Sequence, residues 1–226
     1  MKGILRFIGL ALIVGVVALG LGSERLQAPT EEFEELGKLI DLRGYFPTNV
    51  GWDYDFAGVG NEYAPFVRLT AYADGNLVQV FNDTSGARVA EVYRVGEGQI
   101  GLVQRFPEIE GDSNFIPEVD NDAQPQEIIM QRPLLVGNSW STANRRREIV
   151  AIDNTLQVPA GVFYDVVTIK IEYDDAPNAV GYEHYAMNFG LIKSEFGTRA
   201  GDWQVISELA AMTGSREGIN VGEDRD

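Results

Sequence analysis

Residues 44–56 read GYFPTNVGWDYDF, and the spacing within them decides the fold class. Pro47 and Gly51 punctuate a turn, after which Trp52, Tyr54 and Phe56 alternate with Asp53 and Asp55. A period of two places the three aromatics on one face of a strand and the two carboxylates on the other. Similar runs follow at 66–73, 77–82, 87–95 and 100–106, joined by DGN at 74–76 and DTSG at 83–86. Those connections carry the residues that tight hairpins demand. A second series occupies 127–135, 139–153, 155–158, 162–173, 182–187, 191–195 and 204–210. The chain therefore reads as mostly β, with about nine to eleven strands in a large twisted antiparallel sheet that keeps one face wet. Its form is either a half-barrel or a two-part meander.

The two-part alternative draws on a short echo. PTNVGW at 47–52 and PLLVGNSW at 133–140 each run from proline through Val-Gly to a tryptophan. Chance coincidence and duplication both account for four shared residue types. If the echo is structural, Trp52 and Trp140 close the apolar side of the sheet in equivalent places. Between the two series, 107–126 (PEIEGDSNFIPEVDNDAQPQ) is an acidic, proline-bearing loop without periodicity, expected to form the rim of a binding face or a linker between subdomains.

Upstream of the strands, Thr30 is a candidate N-cap and Phe33, Leu36 and Ile40 recur at helical spacing, so 30–42 predicts a short helix within a lead-in over 23–43. Residues 7–22, FIGLALIVGVVALGLG, are uncharged and follow Lys2 and Arg6, the pattern of an export signal. Sixteen residues of helix span about 24 Å, less than a bilayer core, which favours cleavage over retention as an amino-terminal membrane anchor. Extracytoplasmic placement, secreted or at the cell envelope, follows. The tail over 212–226 is polar and glycine-bearing and is expected to lack fixed structure.

The 226 residues carry 18 basic and 34 acidic side chains and no cysteine. A net charge of −16 repels nucleic acid and anionic lipid surfaces. No disulfide supports the domain, so its core must. The triplet Arg145–Arg147 is the one basic cluster, read as a strand face paired with neighbouring carboxylates or as a docking patch for a polyanion.

Motifs for chemistry fail on context. GEGQIG at 96–101 has the dinucleotide-binding glycine spacing but is followed by LVQRF, a β-prone run, instead of a helix. His184 is the single histidine, so neither a closed zinc site nor a triad with a sequence signature is available. The chain is read as not an enzyme and as needing no cofactor. Calcium is the one metal with suitable oxygen donors, from Asp112, Asp120 and Asp122 in the acidic loop. Paired carboxylates also leave open a hydrolase acting on a surface glycan.

Aromatics are the remaining signal. Trp52, Tyr54, Trp140, Phe163, Tyr185 and Phe189 are the candidate ligand-binding residues: core if the sheet packs shut, the lining of an apolar site if it curls around a cavity. YFPTNVGWDYDFAG, RPLLVGNSW, LQVPAGVFYDVVTI at 156–169 and YAMNFGLIKSE at 185–195 resemble a family of uncharacterised secreted or membrane-attached bacterial β-rich proteins. The matching positions are Tyr45, Pro47, Gly51 and Trp52, then Pro159, Ala160, Gly161 and Phe163, then Gly190, Leu191, Ile192 and Lys193. By analogy of fold, that family is similar to curved-sheet proteins that carry lipoproteins and lipids in the bacterial envelope. The resemblance brings no established activity; the aromatic-rich face is read as that of a non-catalytic binding or scaffold domain for an apolar small molecule or an envelope protein, with a structural surface subunit as the other non-enzymatic role. Family members often carry a lipid-modified amino-terminal cysteine, which this chain lacks.

Overall fold

A computed structural model describes residues 37–142 and 144–214. Its strands are β1 (Asp53–Val59), β2 (Phe66–Asp74), β3 (Leu77–Asp83), β4 (Arg88–Val95), β5 (Gln99–Phe106), β6 (Glu127–Gln131), β7 (Ser139–Thr142), β8 (Arg145–Val158), β9 (Gly161–Tyr173), β10 (Ala179–Ala186), β11 (Gly190–Thr198) and β12 (Trp203–Thr213). Strands adjacent in sequence pair antiparallel, except β6 with β7, and β1 pairs with β12. The twelve strands thus run around a circle that is open at one seam, between β6 and β7. The sheet is a nearly closed barrel, more complete than a half-barrel.

Side chains bridge the seam where a backbone ladder is missing. Ile128 N–H donates to Thr142 Oγ1 at 3.0 Å, and Trp140 Nε1–H donates to the Ile128 carbonyl at 2.9 Å. Asn138 Nδ2 reaches the carbonyls of Gln131 and Pro133.

The barrel consists of two six-strand halves that begin alike. Gly51 and Gly137 both have positive φ, 86° and 91°, which glycine adopts at no steric cost. Gly51 N–H donates to Thr70 O on β2, and Gly137 N–H to Ile149 O on β8, both at 2.8 Å. The return bonds run from Thr70 N–H to Trp52 O and from Ile149 N–H to Asn138 O. By this correspondence Trp52 matches Asn138, while Trp140 matches Tyr54, three residues beyond its turn glycine. The expected equivalence of the two tryptophans is therefore corrected: the echo is structural, but its tryptophans sit two residues out of step. Trp140 is buried in the core, whereas Trp52 is half-buried at its margin.

Alternating connections lie at opposite ends of such a meander. One end is closed. Residues 42–45 form a 3-10 turn, capped by the Asp41 side chain on Arg43 N–H, that inserts Leu42 and Tyr45. These join Phe46, Val95, Ile100, Leu134 and Ile149 in the largest apolar cluster. The β8–β9 hairpin helps, because its ladder shifts register near Asp153 and Asp165, both at positive φ. Its tip reaches β12, where Ala160 N–H meets Leu209 O, and Val158 and Phe163 pack with Tyr54, Phe56 and Leu209.

The two halves differ on their outer faces. Over β2–β5 the 107–126 segment packs as a cover, burying Ile116 and Val119 against Leu77, Val92 and Val103. Gln79, fully buried, donates to Ser113 O and accepts from Phe115 N–H, and the Phe115 ring stacks on Phe106 at 4.5 Å. This corrects the expectation of a rim or linker, and it explains why LVQVF at 77–81 is buried on both faces. The outer face of β8–β12 is instead a wet lattice of ion pairs, including Arg146 with Glu148 and Glu172, and Lys193 with Glu195 and Glu208.

Other boundaries moved. Residues 139–153, expected as one strand, divide into β7 and β8, and 155–158 continues β8; the NRRR that follows the turn carries no glycine or proline to mark it. Of the expected 30–42 helix, residues 37–39 are helical and 30–36 lie outside the described residues, as do the apolar run at 7–22 and the tail beyond 214.

Candidate functional site

A cavity of about 290 Å³ lies inside the barrel, with Phe46, Pro47 and Leu191 toward the closed end and Tyr63 and Thr84 toward the other. Between them runs a belt of charge: Arg68, Arg105, Arg145 and Arg147 with Glu91, Glu127 and Glu183. Four guanidiniums against three carboxylates leave the belt at +1, inside a chain of −16. Arg105 and Arg145, 50% and 34% exposed, stand at the mouth, while Arg147 is 2% exposed.

Both halves build the belt from the same parts. The second strand of each half supplies an arginine opposite the aromatic of its first strand, Arg68 opposite Tyr54 and Arg147 opposite Trp140. The fourth strand of each supplies Glu-x-Tyr, as Glu91 and Tyr93 on β4 and as Glu183 and Tyr185 on β10. In each, the tyrosine hydroxyl donates to its own glutamate, at 2.7 Å from Tyr93 and 2.6 Å from Tyr185. The strands that follow carry Gly101-Leu102-Val103 in β5 and Gly190-Leu191-Ile192 in β11.

The triplet at 145–147 is split by strand alternation. Arg146 points outward to Glu148 and Glu172, and its neighbours point inward. Arg147 Nη1 donates to Glu183 at 2.6 Å and Nη2 to Glu127 at 2.7 Å, leaving its buried Nε without a partner. Arg145 also donates to Glu127, at 3.1 Å, and lies 5.5 Å over the Tyr173 ring. Glu127 on β6 is thereby clipped to β8 across the seam. The carboxylate-paired reading of the triplet holds, with two of its three members inside the barrel.

In the first half, Glu91 accepts from Asn82 at 2.8 Å, from Tyr93, and from Arg105 Nε at 2.8 Å. Burial opposes its ionisation, but Arg68, Tyr93 and Arg105 together hold it below the usual carboxylate range. Glu183 follows the same logic: burial raises its pKa, and Arg147 outweighs that. Burial and the adjacent glutamates push Tyr93 and Tyr185 well above the ordinary phenol value. Glu91 and Glu183 are thus held as carboxylates by their arginine neighbours.

Of the six aromatics expected to share a site, Tyr185 alone lines this cavity. Trp140 and Tyr185 belong to one apolar cluster, Tyr54, Phe163 and the half-buried Trp52 to another, and Phe189 sits 36% exposed, edge-on to Phe163 at 5.0 Å. They do not form one lining, because they come from separate levels of the barrel wall. The acidic loop likewise gathers no metal ligands. Asp112 pairs with Arg88 and Asp120 accepts from Asp122 N–H. Among the described residues no group of three or more His, Asp or Glu side chains is placed to hold a metal ion.

His184 faces outward from β10, between Thr168 Oγ1 at 3.0 Å and Glu195 Oε2 at 3.1 Å. Burial depresses its pKa in spite of Glu195. Thr168 is itself buried, and Glu195 is shared with Lys193.

Arg68, Arg105 and the three glutamates of the belt were missed because charged residues in strands read as solvent-facing. The paired Glu-x-Tyr and Gly-Leu steps, 92 and 89 residues apart, were the signal that would have found them.

No protein-family model matches this chain, and no curated protein sequence matches it. Among solved structures it is similar to a putative exported protein with a YmcC-like fold from Bacteroides fragilis, at 18% identity and a TM-score of 0.48, over 75% of this chain and 98% of that one. It is also similar to a putative lipoprotein from Parabacteroides distasonis, at 13% identity and a TM-score of 0.47, over the same shares of each chain.

Proposed function

We propose that this protein is a non-catalytic, extracytoplasmic binding domain whose site is the charged cavity of the barrel. The observation that carries this reading is the belt itself: seven arginine and glutamate side chains, contributed by both halves, face a cavity with two of its arginines exposed at the mouth. Barrels with more than about eight strands have room for more than their own side chains. Charged groups inside a fold are costly unless paired, and an apolar core would serve stability better. The charge is retained for what enters.

The lining favours a polar ligand over the apolar one expected from the aromatics. It also favours binding over hydrolysis. A glycosidase needs one carboxyl held protonated as an acid, yet arginines keep Glu91 and Glu183 ionised. The placement outside the cytoplasm rests on the apolar run at 7–22 behind Lys2 and Arg6.

Native mass spectrometry of the full chain, followed by thermal-shift screening against small polar metabolites, tests the reading. A released compound, or one that raises Tm in proportion to its concentration, supports it. A chain that carries nothing and responds to nothing refutes it, as does turnover of any compound that binds.

A further inference from the structure

The cavity breaks its own twofold repeat at one residue, and the break points to a class of ligand. Arg68 and Arg147 hold equivalent places in the two halves. In the second half the guanidinium is spent on Glu127 and Glu183. In the first half Glu91 is instead occupied by Asn82, Tyr93 and Arg105. Arg68 reaches only Asn82 Oδ1, through Nε at 2.8 Å, with its guanidinium 5.8 Å from the Phe66 ring centre. Among the described residues neither of its terminal nitrogens has a hydrogen-bond partner, and no carboxylate lies within salt-bridge distance of it.

A guanidinium keeps its charge at any working pH and presents its donors as a planar fork that fits a carboxylate. The fork of Arg147 is filled by carboxylates of the protein, whereas the equivalent fork of Arg68 faces the cavity empty-handed. The excess of one positive charge in the belt lies in this half, where Arg68 and Arg105 face the single carboxylate of Glu91. Resting on the cavity as the ligand site, we propose that the ligand is a small molecule bearing a carboxylate, which takes on Arg68 the place that Glu183 takes on Arg147. Arg105 and Arg145 stand at the mouth to admit it. A volume of about 290 Å³ suits a compact acid and excludes a polymer.

The test is calorimetric titration of the full chain at low ionic strength with acetate, succinate and glutarate, each matched with its amide, and with inorganic phosphate. At least one carboxylate is expected to bind while its amide does not, and Arg68→Gln is expected to weaken it about 10- to 100-fold. Arg68→Lys, which keeps the charge but loses the fork, is expected to fall between. Arg68→Lys, which keeps the charge that helps hold Glu91 ionised, should unfold at nearly the wild-type temperature, which separates lost binding from lost folding. Carboxylates that bind no better than amides, or equally well to Arg68→Gln, overturn the proposal, and so does tighter binding of phosphate. If a neutral polar compound binds and is lost on blocking the mouth with Thr84→Trp, the cavity reading stands and the carboxylate falls. If nothing binds, both fall.

Discussion

At the residue scale the two cavity arginines make opposite predictions for stability. Arg147 is buried between Glu127 and Glu183, so Arg147→Gln strands two carboxylates and is expected to cost about 3 to 5 kcal/mol, as breaking buried pairs does. Arg68→Gln breaks no salt bridge and loses only its hydrogen bond to Asn82 and its field on Glu91, which keeps Arg105, and is expected to cost about 1 kcal/mol. Urea unfolding of both variants checks the pair, and equal losses would show that Arg68 is structural. The tryptophans separate in the same way. Trp140→Ala is expected to cost about 3 to 5 kcal/mol, since the ring is buried and its Nε1–H holds the seam. Trp52→Ala, at the margin of its cluster, is expected to cost less than half of that.

Titration sets a pH window from the same side chains. Glu91 and Glu183 have folded pKa values below the ordinary 4.5, so the stability they confer is complete above that value and is lost as pH falls through the folded one. His184 is depressed below 6.5, and its contribution likewise fades on acidification, beginning near 6.5. Tyr45, pushed up to about 12 by burial and by Asp153 and Asp165, contributes below pH 10 and loses that contribution between 10 and 12. Denaturation midpoints measured from pH 3 to 11 should form a plateau between about 6.5 and 10 and fall on both sides. A maximum near pH 4 would contradict these assignments.

At the scale of elements, the 107–126 cover and the seam are the informative parts. The cover is pinned by Gln79, whose amide satisfies both Ser113 O and Phe115 N–H. Gln79→Leu leaves those two groups unpaired, at about 1 to 3 kcal/mol each. Limited proteolysis should then cut within 107–126 while the barrel survives, and unchanged resistance would show that the apolar contacts alone hold the cover. Strand identity was legible in the sequence wherever period-two alternation met a wet outer face, as in 52–56 and 182–187. It blurred at 77–81, where the cover buries the outer face too, and at 139–153, where an unmarked turn follows Thr142. The cover was not legible as such: its apolar anchors, Phe115, Ile116 and Val119, are scattered among acidic residues at no regular spacing.

For the molecule as a whole, the sequence carried the fold class and half of the site's logic. Turn glycines announced the duplication at Gly51 and Gly137. The cavity was hidden because an inward-facing arginine and an outward-facing one look alike until the barrel closes, and Arg145, Arg146 and Arg147 alternate in, out and in. Aromatics, which drew attention first, serve mainly to fill the levels above and below the charge.

The closed end has a consequence for how the domain is carried. Gly37 lies against Leu134 and Leu135 at that end, and β12 finishes there too, with Thr213 opposite Asp53 and Gly214 beside Trp52. The described residues thus begin and end at the pole opposite the mouth. A linker, a surface or a second domain joined at either terminus would hold the barrel like a cup by its base, with the rim at Tyr63 and Thr84 turned toward the surroundings.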